Sequence, residues 1–314
     1  MLKIFSFRSL AITTHFADRL FLASQNKAPV CVGIDPVFEK MPAKLRDQTD
    51  PNCAAEVIAL FEEFTINVLQ AAANHAACVK FQSACFERYH HLGVDLLQRM
   101  LKLANEMGLI TINDAKRGDI GISAAHYGAG CLGRTHYSDL GTHPGADSLT
   151  CNAYLGEDSL QPLLDVAAKE GKGLFALVRT SNPGGDTIQN LVLAEGHTVC
   201  QAVATMIAEL GEQSIGDCGY SHLGAVVGAT QPDQAVNLRV LMPRQIFLVP
   251  GFGAQGGGPE DVKACFNDDH FGAIITASRS VIYAYQTDPN KNWAQAIDDA
   301  AEDLSQQIQS ILKG

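Results

Sequence analysis

The densest chemistry in this 314-residue chain is the segment Asp114-Ala-Lys-Arg-Gly-Asp119, where two carboxylates flank a lysine. Asp114 and Lys116 are two positions apart, so on an extended strand both side chains project to the same side. A second lysine, Lys80, sits near the end of the preceding apolar run, ACVKFQ. Carboxylates and ammonium groups brought this close hold one another ionised. An ammonium there can deliver a proton to a carbanion, and an aspartate beside it can repel a substrate carboxylate. The competing use of these groups is a salt-bridge ladder between strand ends, which gives no reason for every group to face one opening.

Positioning such groups falls to an alternation of short apolar runs with longer stretches of helical spacing, the pattern of βα units on a parallel sheet. Eight runs are expected as strands, at 30–35, 77–82, 109–116, 148–154, 173–180, 223–230, 246–251 and 272–279. Helices are expected at 53–75, 92–107, 120–131, 158–170, 190–212, 231–242, 259–267 and 292–312, with an extra one over 16–25 ahead of the first strand. Eight parallel strands, each followed by a helix, predict an α/β fold of the (β/α)8 TIM-barrel type, not a doubly wound sheet. The last helix carries Trp293, Ile297, Ala300, Leu304, Ile308 and Ile311 as one apolar stripe to lay against the barrel wall. No linker or charge block divides the chain, so a single barrel domain over 14–314 is expected, preceded by an extension at 1–13. The Gly-rich stretch 128–147 reads as a long loop.

A barrel places reacting groups at the carboxyl ends of its strands. Here the runs end in Asp35, Lys80 with Gln82, Asp114 with Lys116, Asn152, Arg179 to Asn182, Thr230 with Gln231, Pro250 to Gln255, and Ser278 with Arg279. The stretch 250–256 contains Gly251, Gly253 and Gly256 in the spacing of a dinucleotide fingerprint. It follows the seventh run, with too little chain left to build a mononucleotide fold. A phosphate loop after strands seven and eight fits instead, made of the glycine amides of 251–257 with Ser278 and Arg279. Arg279 would clamp a phosphate dianion, its alternative being a rim salt bridge. The polar turn TSNPGG at 180–185 could read the edge of a ring, or serve as an ordinary Pro-Gly turn.

Lys plus Arg number 23 against 34 Asp plus Glu, a net charge of −11, which leaves no basic face for nucleic acid or an anionic membrane. The nine cysteines form no C-x-x-C pair and resemble neither a disulfide framework nor a zinc site, so free thiols in a reducing cytoplasm are expected. Arg8 interrupts the apolar start of the chain before it reaches the length of a signal-peptide core, and no stretch is long enough to span a membrane. The ten histidines include no H-E-x-x-H; His136 to His143 with Asp139 reads as a solvated loop, and His90 with His91 as the start of a helix. Nucleophile elbows and P-loop lysines are absent from the sequence, so nucleophilic hydrolysis and nucleoside-triphosphate chemistry have no support.

The DAKRGDIG segment, together with CVGIDP (31–36), VKFQSACFE (79–87), NAYLGEDSL (152–160), TSNPGG (180–185), VPGFGAQGG (249–257) and SRSVIY (278–283), resembles the orotidine 5′-phosphate decarboxylases of the longer bacterial, mycobacterial-type branch, over about residues 15 to 312. That resemblance implies conversion of orotidine 5′-phosphate to UMP and carbon dioxide without metal or organic cofactor. It also implies a homodimer with active sites at the subunit interface. Residue by residue it implies Asp35 on the ribose, a charged network of Lys80, Asp114 and Lys116, and Lys116 as proton donor to C6. Asp114 would stand next to the departing carboxylate, and Asp119 would cross into the partner's site. Ser123 stands where the family usually has Thr, which keeps the hydroxyl. Ser181 would read the pyrimidine, Gln255 would bridge phosphate and base, and Arg279 would hold the phosphate. Ala153 stands where related sequences often carry Pro, and neither 1–13 nor part of 132–147 has a counterpart.

Three rivals remain open. Metal-dependent sugar-phosphate relatives, a 3-keto-gulonate-phosphate decarboxylase or a hexulose-phosphate synthase, share D-x-K-x-x-D but place an acidic ligand where this chain has Lys80, and a cation cannot bind Mg²⁺. A Schiff-base aldolase would need a desolvated lysine, whereas Lys80 and Lys116 both have acidic neighbours. A non-catalytic phosphate-ligand sensor would be expected to have lost a motif residue, and none is lost.

Overall fold

The structure is a computed structural model describing residues 15–138, 141–229, 232–252, 258–288 and 291–313. Its strands are β1 (Val30–Ile34), β2 (Cys78–Gln82), β3 (Ile110–Arg117), β4 (Thr135–Tyr137), β5 (Gly141–His143), β6 (Ser148–Asn152), β7 (Gly173–Arg179), β8 (Leu223–Val227), β9 (Phe247–Pro250) and β10 (Ala273–Ala277). Eight of them, β1 to β3 and β6 to β10, pair in parallel and close into a barrel in which β1 meets β10, Val30 lying beside Ile275. These are the eight expected runs. They read as unbroken apolar stretches because parallel strands are covered on both faces. Helices follow them on the outside, and the expected (β/α)8 barrel is what forms.

Two apolar cores result. The larger fills the space between strands and helices, where Trp293 of the last helix, Trp293–Lys313, stacks on Phe64 of the helix Ala54–His75, ring centroids 5.9 Å apart. The smaller lies inside the barrel and includes Cys31, Cys78, Ile112, Phe175, Val226 and Leu248. The extra helix ahead of β1, Phe16–Asn26, closes that inner core at the amino end of the strands. Its Phe16 ring meets Phe175 edge-on and lies so close to Gly173 that a Cβ there would fall 2.2 Å from the ring. Arg19 anchors the plug by donating to Asp147 at 2.7 Å and to the Gly171 carbonyl at 3.1 Å.

Departures from expectation are local. Within 128–147, expected as loop, β4 and β5 form an antiparallel hairpin. Three-residue strands show no period, and only the β-forming Thr135, Tyr137 and Thr142 mark them. The helix expected over 190–212 begins only at Val199. Thr198 caps it in a reciprocal pair with Gln201, while Gly196 takes φ +88 in the turn before it. Each of the nine cysteines carries a free thiol. Among the described residues no helix is long and apolar enough to cross a membrane, and no three His, Cys, Asp or Glu side chains cluster to hold a metal ion. The extension at 1–13 lies outside the described residues, as does Asp139.

Candidate active site at the carboxyl end of the barrel

A cavity of about 420 Å³ opens at the carboxyl ends of the strands. It is lined by Asp35, Lys80, Asp114, Lys116, Ser181, Ser278 and Arg279, seven of the residues singled out by sequence. Its floor is apolar, with Leu177, Val226 and Leu248. Charges above such a floor act through a medium less polarisable than water, so their interactions are stronger there.

The charged groups form a chain. Lys80 Nζ donates to Asp114 Oδ2 at 2.8 Å and lies 3.9 Å from Asp35 Oδ1. Lys116 Nζ donates to the other carboxylate oxygen, Asp114 Oδ1, at 2.6 Å. Adjacent strands set this order, since Lys80 pairs with Ile112 and Gln82 with Asp114 across β2 and β3. Burial alone would raise the Asp114 pKa, but the two ammonium groups outweigh it and hold the carboxyl at about 2. Burial likewise opposes the charge on Lys80, and Asp114 with Asp35 reverses it, keeping the amine protonated well beyond neutral pH. Asp114 and Lys80 therefore stay ionised across the physiological range.

Asp114 and Lys116 converge as expected, yet not along a regular extended strand. The β3–β6 register shifts between Asn113 and Arg117, and Lys116 takes φ +47. A bulge, and not simple alternation, brings the ammonium back onto Asp114.

Asp35 is held from both sides. Its backbone carbonyl accepts from the Tyr283 hydroxyl at 2.7 Å, and its Oδ2 accepts from the Ser278 hydroxyl at 2.6 Å. Ser278 thus turns to strand one, across a contact so close that a Cβ on Gly33 would meet its side chain at 2.8 Å. Asp35 Oδ1 is buried and accepts no hydrogen bond from the described residues. Arg279, at the start of a short helix after β10, is exposed at the cavity edge and has no ion-pair partner among the described residues. Gly251, with φ +102, and Phe252 line the same edge. Gln255 and Gly256 lie outside the described residues, as do Gly253, Thr230 and Gln231.

Asp119 and Ser123 are not brought into this cavity. They line a separate surface hollow with Ile122, His126 and Tyr127, and the Asp119 carboxylate caps the Ile120 N–H at 2.8 Å.

Two contributors escaped the sequence reading in whole or part. Arg179 was expected only as a strand end; it is a buried hub that donates to the Thr180 carbonyl at 3.0 Å, Gln189 at 3.0 Å, Gln234 at 2.5 Å and Asp186. It fixes the turn that carries Ser181. Arg179→Met should leave these acceptors without their donor at a cost of about 2–4 kcal/mol, a fall in Tm of roughly 3–6 °C for a chain of this size, measured by thermal melting. Thr150 is the other. Ser148, Thr150 and Asn152 alternate with Leu149 and Cys151, and that polar period within an otherwise buried strand was the available signal.

Comparison with known proteins gives a consistent picture. A family model described as orotidine 5′-phosphate decarboxylase / HUMPS family matches residues 28–296. An orotidine 5′-phosphate decarboxylase of Rhodopirellula baltica is 39% identical over 301 residues, covering 93% of this chain and 98% of its own. One from Deinococcus radiodurans is 40% identical over 256 residues, covering 81% and 84%. Among solved structures, OMP decarboxylase from Leishmania donovani superimposes with a TM-score of 0.73 at 27% identity, over 96% of this chain and 99% of that one.

Proposed function

Because the chain belongs to the orotidine 5′-phosphate decarboxylase / HUMPS family, we propose that it converts orotidine 5′-phosphate to UMP and carbon dioxide, the last step of de novo UMP formation. The observation that carries this reading is the alternating array Lys80, Asp114, Lys116 at the barrel mouth, with both ammonium groups on one carboxylate. Breaking the bond from C6 to the carboxyl carbon leaves an electron pair on a ring carbon that stabilises it poorly. Catalysis must therefore come from charges that act in the transition state. Asp114 stands next to the substrate carboxylate, and their repulsion is relieved as neutral carbon dioxide departs. Lys116 gives a proton from Nζ to C6 and is reprotonated from solvent.

The remaining groups bind the substrate. Asp35 Oδ1, buried without a hydrogen-bond donor among the described residues, suits a ribose hydroxyl, since an unsatisfied buried acceptor is costly. Ser181 reads the pyrimidine, Gln255 bridges phosphate and base, and the Gly256 amide belongs to the phosphate loop. Arg279, with the Ser278 corner beside it, takes the phosphate. Binding energy from the phosphate, remote from C6, is available to press the carboxylate into its place beside Asp114. Lys80 favours this side of the family over the metal-dependent sugar-phosphate enzymes, because an ammonium cannot ligate Mg²⁺. The reaction then needs no metal or organic cofactor.

The active form is a homodimer with shared sites, acting in the cytoplasm as one barrel domain over 14–314, without nucleic-acid or membrane partners. Support for the dimer comes from Asp119 and Ser123, which face outward among exposed Ile120, Ile122 and Tyr127. Such an apolar patch suits burial against a second copy, where both polar side chains would reach the partner's substrate.

The test follows the ultraviolet absorbance of orotidine 5′-phosphate on purified protein with and without EDTA. Loss of substrate at an unchanged rate in chelator is expected. No turnover and no UMP binding by folded protein would return the reading to the sugar-phosphate relatives.

A further inference from the structure

The bulge in β3 is wider than a single extra residue. Asn113 pairs with Leu149 and Arg117 with Cys151, so Asp114, Ala115 and Lys116 together stand opposite the one residue Thr150. Lys116 sits in the left-handed region at φ +47, which a side-chain-bearing residue adopts only when its surroundings impose it. The Thr150 hydroxyl occupies the gap so created. It accepts the Lys116 backbone N–H at 2.9 Å and donates to Asp114 Oδ1 at 2.8 Å. Thr150 is 1% exposed, so solvent does not compete for these bonds. Asp114 Oδ1 thus receives Lys116 Nζ and Thr150 together, while Oδ2 receives Lys80.

We propose that Thr150 is a positioning residue for the decarboxylation: its hydroxyl clamps the bulged backbone of Lys116 to the Asp114 carboxylate, so that ammonium and carboxylate face C6 as one rigid pair. The inference rests on the reading of Lys116 as proton donor. A hydroxyl with one hydrogen and a fixed incoming N–H has a single arrangement here, donor to the carboxylate and acceptor from the amide. Without it the bulge loses the contact that ties its backbone to the site, and Asp114 becomes free to rotate about its two remaining cationic partners. Misplacement on the scale of an ångström in such a pair is felt in the chemical step more than in binding.

Thr150→Val keeps shape and β-branching and removes only the hydroxyl; Thr150→Ser keeps the hydroxyl. The expected result is a kcat lower by roughly 10- to 100-fold in Thr150→Val, the size of a lost hydrogen bond to a charged group. KM and UMP affinity should stay within about threefold, and Thr150→Ser should recover most of kcat. Lys116→Ala is measured alongside. If Lys116→Ala is inactive while Thr150→Val turns over within twofold of the parent, the positioning role is overturned and the proton-donor reading stands. If Lys116→Ala retains turnover, the underlying reading itself falls. Equal losses in Thr150→Val and Thr150→Ser would assign the effect to packing and also overturn the role. Should Thr150→Val not fold, Thr150→Ala against Thr150→Ser gives the same contrast.

Discussion

Lys116→Ala is expected to abolish decarboxylation, with a fall in kcat of about 10⁴-fold or more, while UMP still binds within a few-fold of the parent affinity. The size follows from what is removed. A positioned general acid contributes about 10²- to 10⁴-fold, and the same ammonium also stabilises charge as it builds on C6. The ground-state complex keeps Asp35, Ser181 and Arg279, none of which depends on Lys116 for its place. Asp114 also keeps its bond from Lys80 at 2.8 Å, so the carboxylate stays ionised. An interaction made mainly in the transition state lowers kcat and leaves product affinity. Stopped absorbance assays over long incubations, with calorimetric titration of UMP, separate the two quantities. Substantial residual turnover would remove Lys116 as proton donor.

Mixing Asp119→Ala protein with Lys116→Ala protein should restore activity that neither has alone. Asp119 faces a surface hollow with Ser123 and Tyr127, apart from the cavity that holds Lys116. If Asp119 serves the partner's site, each mixed dimer has one site carrying both lesions and one carrying neither. Random exchange at equal concentrations makes roughly half the dimers mixed, so activity should recover to roughly a quarter of the parent value. Subunit exchange is verified by mass spectrometry of the intact dimers. No recovery despite proven exchange would place Asp119 in its own subunit's chemistry, or outside it.

The sequence made the barrel legible because burial on both faces leaves parallel strands as plain apolar runs, and because polar residues at the ends of those runs must share one mouth. Asp35, Lys80, Asp114, Lys116 and Arg279 were found by that rule alone. It could not say that Ser278 turns toward Asp35, since strand ends one and eight become neighbours only on closure. Nor could it separate Asp119 from Asp114, five residues away, because the strand-to-helix turn between them is set by the bulge. The bulge itself is invisible to alternation: Asp114 and Lys116 have the right spacing for a regular strand and meet for a different reason. Arg179 illustrates the same limit, its partners Asp186 and Gln189 lying on one short helix, Asp186–Gln189, and Gln234 on another, Pro232–Leu241. The helix expected from 190 starts late because apolar periodicity runs through Gly196 and Thr198, where capping chemistry outranks it.

The helical plug at the base of the barrel also bears on how the chain is made. Phe16 and Leu20 are among the first residues of the described chain to be synthesised, yet the inner core they complete includes Phe175, Val226 and Phe271, which are translated much later. β1 must likewise wait for β10 to supply Ile275 beside Val30. Until those segments have been made, the helix ahead of β1 therefore carries an uncovered apolar face, the kind of surface that chaperones and neighbouring nascent chains bind. Closure of the mouth that holds Asp35 beside Ser278 and closure of the floor beneath Phe16 draw on the same segment, 271–278, so the two ends of the barrel are completed together.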